Sequence, residues 1–162
     1  MAEITLEIHG KLTPPLTKKR LTIAAQACAN AAERWSKCDT PWQEVTIHLV
    51  HDRLSAEVND AILGHTGPTD VITQRYEPFP GEDAGLIGEL YVNLDEAQRM
   101  ADKLKTTTFE EEVVLYIAHG CDHLTDADDA TPEERRAMRR RDLRWMHAAL
   151  RQTDLATTSH SM

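Results

Sequence analysis

The segment Val113 to Ala118, VVLYIA, is apolar on every face and runs straight into HGCDH at 119–123. A helix that is hydrophobic all round is stable only when other elements surround it. The rest of the chain must therefore supply layers on more than one side of this segment, and the two histidines at its end must lie near the middle of the fold. Thr108 and Glu111 form a capping-box start, in which each side chain covers a free backbone donor of the other residue. Together these features predict a central helix over about 109–124.

The surrounding elements are legible from period and punctuation. EITLEI at 3–8 and EVTIHLV at 44–50 alternate polar and apolar residues as half-buried strands do. Between them, Leu21 to about Lys37 is alanine-rich, with Ile23, Ala27, Asn30, Ala31 and Arg34 at helical spacing, and Thr40-Pro41 closes it. A short helix is predicted over Leu54–Leu63, then strands over 69–73 (TDVIT) and 85–94 (GLIGELYVNL). Asn93 with Glu96 and Thr131 with Glu134 start further helices over about 94–105 and 132–150, the second aided by Pro132 at its first position. The order is βαβαββααα. It predicts an α/β (α+β) fold: a small mixed sheet of about four strands covered by about five helices, in one domain over residues 1–150. The polar RQTDLATTSHSM of 151–162 lacks periodicity and is predicted to fray.

Charge narrows the function classes. With 18 Lys and Arg against 27 Asp and Glu, the net charge of -9 argues against a protein that coats nucleic acid nonspecifically. Arg135, Arg136, Arg139, Arg140, Arg141 and Arg144 nevertheless crowd into ten residues. Arg136, Arg140 and Arg144 are candidates for a local basic patch; the reading that composition alone favours is a solvated helix face balanced by Glu133, Glu134 and Asp142. No apolar run approaches the roughly 20 residues of a membrane helix, and MAEITLEIHG resembles no signal or transit peptide, so a soluble cytoplasmic protein without a membrane partner is expected. Cys28, Cys38 and Cys121 show no CxxC pairing and are expected to be reduced thiols.

Residues four apart on a helix are rotated by only about 40° and separated by about 6 Å, so His119 and His123 share a face and both reach one ion. The other reading is a buried helix end with two hydrogen-bonded histidines. LTDADDA follows, and its acids Asp126, Asp128 and Asp129 sit on a reversal that folds back toward the histidines and offers a third ligand. Two imidazoles and a carboxylate with an open position make a catalytic zinc arrangement. A zincin protease needs glutamate after the first histidine, where Gly120 stands, and a calcium loop counted from Asp126 lacks its glycine and its final glutamate. His9, His48, His51 and His65 have no sequence neighbour at ligand spacing and are read as ordinary strand or loop histidines.

HGCDHLTDADD resembles the HGxLHLxGYDH motif of the YbeY family of bacterial ribosomal RNA maturation factors. PTDVIT at 68–73, GELYVN at 88–93 and LVHDRLSAEVNDAILGH at 49–65 are similar to further family segments in the same order. The resemblance implies a metal-dependent endoribonuclease acting in ribosomal RNA maturation and ribosome quality control. Its partners would be ribosomal RNA or a ribosomal subunit, with a protein partner on the ribosome as a further candidate. It implies one Zn2+, with Mn2+ or Mg2+ as the alternatives, held by His119, His123 and Asp129, the last standing where the family has a third histidine. Asp128 would orient the turn or a ligand, and Asp122 would support a ligand or act as a base, if it is not simply a solvent-facing carboxylate. The family's arginine implicated in RNA cleavage falls at Leu63, which cannot hold a phosphate, so the implied alternative is a non-catalytic metal-binding ribosome assembly factor.

Overall fold

The computed structural model describes residues 1–158. Strands β1 (Glu3–Ile8), β2 (Trp42–Val50), β3 (Val71–Tyr76) and β4 (Leu86–Asn93) form one mixed sheet in the order β1-β2-β4-β3. β1, β2 and β4 run parallel, and β3 lies antiparallel along β4 at the edge. The helices are α1 (Lys18–Trp35), α2 (Asp52–Val58), α3 (Leu94–Leu104), α4 (Phe109–His123) and α5 (Pro132–Thr158). The single-domain α/β architecture is as read from the sequence, and α2 widens into one π-helical turn over Asn59–Leu63.

Helix α4 is the central element. Its apolar run Val113 to Ala118 is buried throughout, with α1 and α5 packed on it and on each other, and β3 and β4 beneath. The alanine-rich face of α1 (Ala24, Ala25, Cys28, Ala29, Ala32) is fully interior, small side chains allowing the helices to approach closely. Alternation sends Val45, Ile47, Leu49 and Leu90 into this core, while Thr46, His48 and Tyr91 point to the opposite face.

Two glycines set the height of α4 over the sheet. A Cβ on Gly120 would lie 2.5 Å from Leu90 Cδ2 and 3.2 Å from Val71 Cγ2, and one on Gly88 would lie 2.5 Å from Leu124 Cδ1. Absence of side chain at both places lets the last turn of α4 rest directly on β3 and β4. That seating fixes the direction in which His119 and His123 leave the helix.

The expected frayed end from residue 151 is corrected: α5 continues to Thr158, and residues 159–162 of that segment lie outside the described residues. The cause is a long-range anchor rather than periodicity. Arg20 of α1 donates to Glu110 of α4 at 2.8 and 3.0 Å, to Asp154 at 2.8 Å and to Thr157 at 3.1 Å, and Thr153 is fully buried. Among the described residues, no helix is long and apolar enough to cross a membrane.

Candidate functional site

The histidine pair converges. His119 Nε2 and His123 Nε2 lie 3.0 Å apart, with their rings nearly perpendicular at 81°. His119 Nδ1 meets Asp142 Oδ2 of α5 at 2.7 Å, and donation to that carboxylate leaves a lone pair on His119 Nε2. Burial lowers the pKa of both imidazoles, and for His123 the neighbouring His119 lowers it further. Both rings are thereby held toward the neutral form that ligates metal. A proton on His123 Nε2 can bridge to His119, and an ion can take that proton's place.

The third ligand expected from sequence is less closely gathered. Asp129 Oδ2 lies 3.8 Å from His123 Nε2, on an exposed turn pinned by Arg135, which donates to the Asp129 and Ala130 carbonyls at 3.3 and 3.0 Å. Among the described residues, the three donors of His119, His123 and Asp129 do not all fall within 4.8 Å of one another; those of Glu7, His9 and His48 do. Asp128 is exposed on the same turn.

Asp122 does not face the histidine pair's cleft, nor is it the solvent-facing carboxylate of the other reading. It is 0% exposed and receives Arg141 Nε at 3.0 Å and Nη2 at 2.8 Å, while the Arg141 guanidinium carbon sits 3.8 Å over the Trp35 ring. Desolvation pushes its carboxyl up to about 7, adjacent Asp142 adding to the rise and Arg141 opposing it. Asp142 is also raised by burial, and its Oδ1 has no hydrogen-bond partner. The residue that orients His119 therefore comes from α5, a placement that helix spacing within α4 could not reveal.

Beside the pair opens a cleft of about 230 Å³, lined by Asp70, Tyr116, His119, Asp129, Arg135, Arg139 and Asp142 among others. Arg135 and Arg139 bring positive charge to its wall. Arg136, Arg140 and Arg144 are exposed along α5, and among the described residues they form no ion pair. The other basic candidates are engaged elsewhere: Arg53 pairs with Glu57, and Arg75 is held by Asp126 at 2.7 Å and by Glu77. Leu63 ends the π-helical turn and is 49% exposed. Asp70 sits between this cleft and β3, its Oδ1 accepting from Val71 N at 2.7 Å.

The remaining histidines divide. His51 bridges Asp95 and the Lys11 carbonyl, both at 2.9 Å, which is a structural tie at the start of α2. His65 is exposed. His9 and His48, read from sequence as ordinary, instead meet Glu7 on the far face of the sheet in a group able to hold a metal ion. The signal for that group was the strand period in Glu7 and His9 combined with a cross-strand pairing that only the fold supplies. The three cysteines are free, and burial pushes the Cys28 thiol up to about 12, which leaves it unreactive.

These features define a class: an α/β domain whose central helix brings a histidine pair to a cleft walled by arginine. The chain belongs to the YbeY family, whose profile, described as endoribonuclease YbeY, matches residues 8–149. A protein named endoribonuclease YbeY from Chlorobium phaeovibrioides is 38% identical over 145 residues, covering 88% of this chain and 89% of that one. One of the same name from Salinibacter ruber is 36% identical over 105 residues, covering 62% and 66% respectively. A Thermotoga maritima protein solved in solution shares the fold, with a TM-score of 0.54 and 22% identity over 99% of this chain and 94% of that one.

Proposed function

We propose that the chain is an endoribonuclease that cleaves RNA phosphodiesters with one zinc ion held by His119, His123 and Asp129. The reading rests on one observation above others: two Nε2 atoms converge at 3.0 Å beside a cleft that Arg135 and Arg139 line. The donor set fits the ion, since two imidazoles held toward neutrality and a nearby carboxylate are what zinc takes in hydrolases. Mn2+ and Mg2+ fit less well, because both prefer sites richer in oxygen. Bound there, the ion would supply Lewis acidity toward a water or a phosphate oxygen.

The chain's own residues supply the rest. Asp142 fixes the His119 tautomer, and Asp128 orients the turn that carries Asp129. Arg139 takes over the phosphate-neutralising role that Leu63 cannot perform. Exposed Arg136, Arg140 and Arg144 extend the basic strip beyond the cleft and would track an RNA backbone. Family membership supports ribosomal RNA as the substrate, with maturation and quality control of ribosomal subunits in the cytoplasm as the setting and a ribosomal protein as a recruiting partner for an acidic chain.

The exposed Leu63 favours a second reading, in which the chain binds metal and assists ribosome assembly without cutting RNA. Elemental analysis combined with a gel assay on structured RNA separates the two. His119→Ala and His123→Ala should each lose one equivalent of zinc together with cleavage, and Arg139→Ala should lose cleavage while keeping zinc. Zinc at full occupancy in both histidine variants would overturn the site. A zinc-loaded wild type that leaves RNA uncut would select the assembly factor.

A further inference from the structure

The sheet face opposite α4 carries a group of ligating side chains that the reaction above does not use. Glu7 and His9 stand two apart, so they project on one side of the β1 strand path. Glu7 pairs with His48 on β2, and His48 in turn pairs with Tyr91 on β4, which places all four side chains in one neighbourhood. His9 Nε2 lies 2.9 Å from His48 Nδ1, Glu7 Oε2 lies 3.3 Å from that Nδ1, and Glu7 Oε2 lies 3.9 Å from His9 Nε2.

These three edges are informative. A point equidistant from the three atoms lies about 2.0 Å from each, which is the bond length zinc takes to imidazole and carboxylate, roughly 2.0–2.2 Å. We propose that Glu7, His9 and His48 form a second metal site, separate from the α4 histidines, that takes a zinc-type divalent ion.

The surroundings of His48 support this. The residue is only 9% exposed, and its Nε2 is buried without a hydrogen-bond partner, 3.4 Å from Glu89 Oε2. An ion on Nδ1 fixes the ring proton on Nε2, where Glu89 is placed to receive it. That is the carboxylate–histidine–metal arrangement that orients metal ligands. Glu89 is itself held, since the Tyr91 hydroxyl donates to its Oε1 at 2.9 Å, and the Tyr91 ring stacks on His48 at 4.5 Å with a 12° interplanar angle. His9 and Glu7 are partly exposed, which gives the ion a route in and leaves a coordination position for water. Two nitrogen donors disfavour magnesium and calcium, whose sites are built of oxygen. The ion would clip edge strand β1 to β2.

The test uses the full chain, dialysed free of metal and titrated with zinc alone. In the His119→Ala, His123→Ala background, one zinc equivalent should remain. Adding His9→Gln or Glu7→Gln, both at partly exposed positions that the fold tolerates, should weaken that remaining affinity by more than about 100-fold. Glu89→Ala should weaken it about 10–100-fold, the usual cost of losing an outer partner. Cobalt in the same background should give the visible bands of a four-coordinate ion, and a hundredfold excess of magnesium should not displace zinc. No zinc binding in the double-alanine background, or binding that His9→Gln and Glu7→Gln leave unchanged, would overturn the second site; magnesium displacement would overturn its zinc-type character. Should the double-alanine protein bind as many ions as wild type, the α4 reading fails, and the His9→Gln arm still decides this one.

Discussion

Asp142 offers the sharpest test of how the histidine pair is prepared for metal. Its Oδ2 sits 2.7 Å from His119 Nδ1, and its other oxygen is buried without a hydrogen-bond partner. Truncation in Asp142→Ala removes the acceptor that keeps the ring proton on Nδ1. Loss of such an outer partner costs about 10–100-fold in metal affinity, or about 1.4–2.8 kcal/mol at about 1.4 kcal/mol per decade. Asp142→Asn should behave differently. Its amide oxygen can still accept from His119 Nδ1, so the acceptor that fixes the ring proton is kept. Zinc affinity should then stay within about threefold of wild type, well inside the range that loss of the partner would cause. Chelator competition measures the affinities, and long-range 1H–15N spectra of the metal-free proteins report which nitrogen of His119 carries the proton. If Asp142→Ala binds zinc as tightly as wild type, or if Asp142→Asn is the more damaging variant, the orienting role assigned to this carboxylate is wrong.

Gly120→Ala should destabilise the protein although alanine is the better helix former. With the added Cβ only 2.5 Å from Cδ2 of fully buried Leu90, overpacking falls in the upper part of its usual range, about 2–3 kcal/mol, and helix propensity returns about 1 kcal/mol, so a net loss of about 1–2 kcal/mol is expected in urea titrations. A variant as stable as wild type would show that α4 does not rest on Leu90 as described. Charge reversal at Arg136, Arg140 and Arg144 should weaken RNA binding and flatten its salt dependence by about three phosphate contacts, and an unchanged slope would leave these arginines as solubilising surface. The hydrogen bond that His51 donates to Asp95 raises the pKa of His51 above 6.5, so its stabilisation is complete below that value and is lost as pH rises through the folded-state pKa. His51→Gln should therefore flatten the fall in stability as pH rises above 6.5; an identical pH profile in the variant would remove His51 from that account.

What could be read in the sequence followed the range of the interaction. VVLYIA and the capping box at Thr108 are local, and they placed α4 and the direction of its histidines without any knowledge of neighbours. Local caps likewise placed the starts of α3 and α5: Thr131 and Glu134 form the full reciprocal box, while at Asn93 only the side-chain half forms, its Oδ1 accepting from Asp95 and Glu96 N and its own N–H going to the Asp70 carbonyl. The misreadings arose where the partner lies far along the chain. Asp122 and Asp142 are both acids near histidines in a sequence view, and only the packing of α5 on α4 decides that one grips Arg141 and the other orients His119. The end of α5 has no periodicity because it is ordered by Arg20, 134 residues away from Asp154. Glu7, His9 and His48 show the same principle at its extreme: each segment contributes an ordinary alternating residue, and the triangle of ligating atoms forms only in the register between β1 and β2. Local pattern specifies elements, whereas polar sites are written across pairs of elements. A search for ligands by sequence spacing finds helical pairs such as His119 and His123 and passes over those that a parallel sheet brings together.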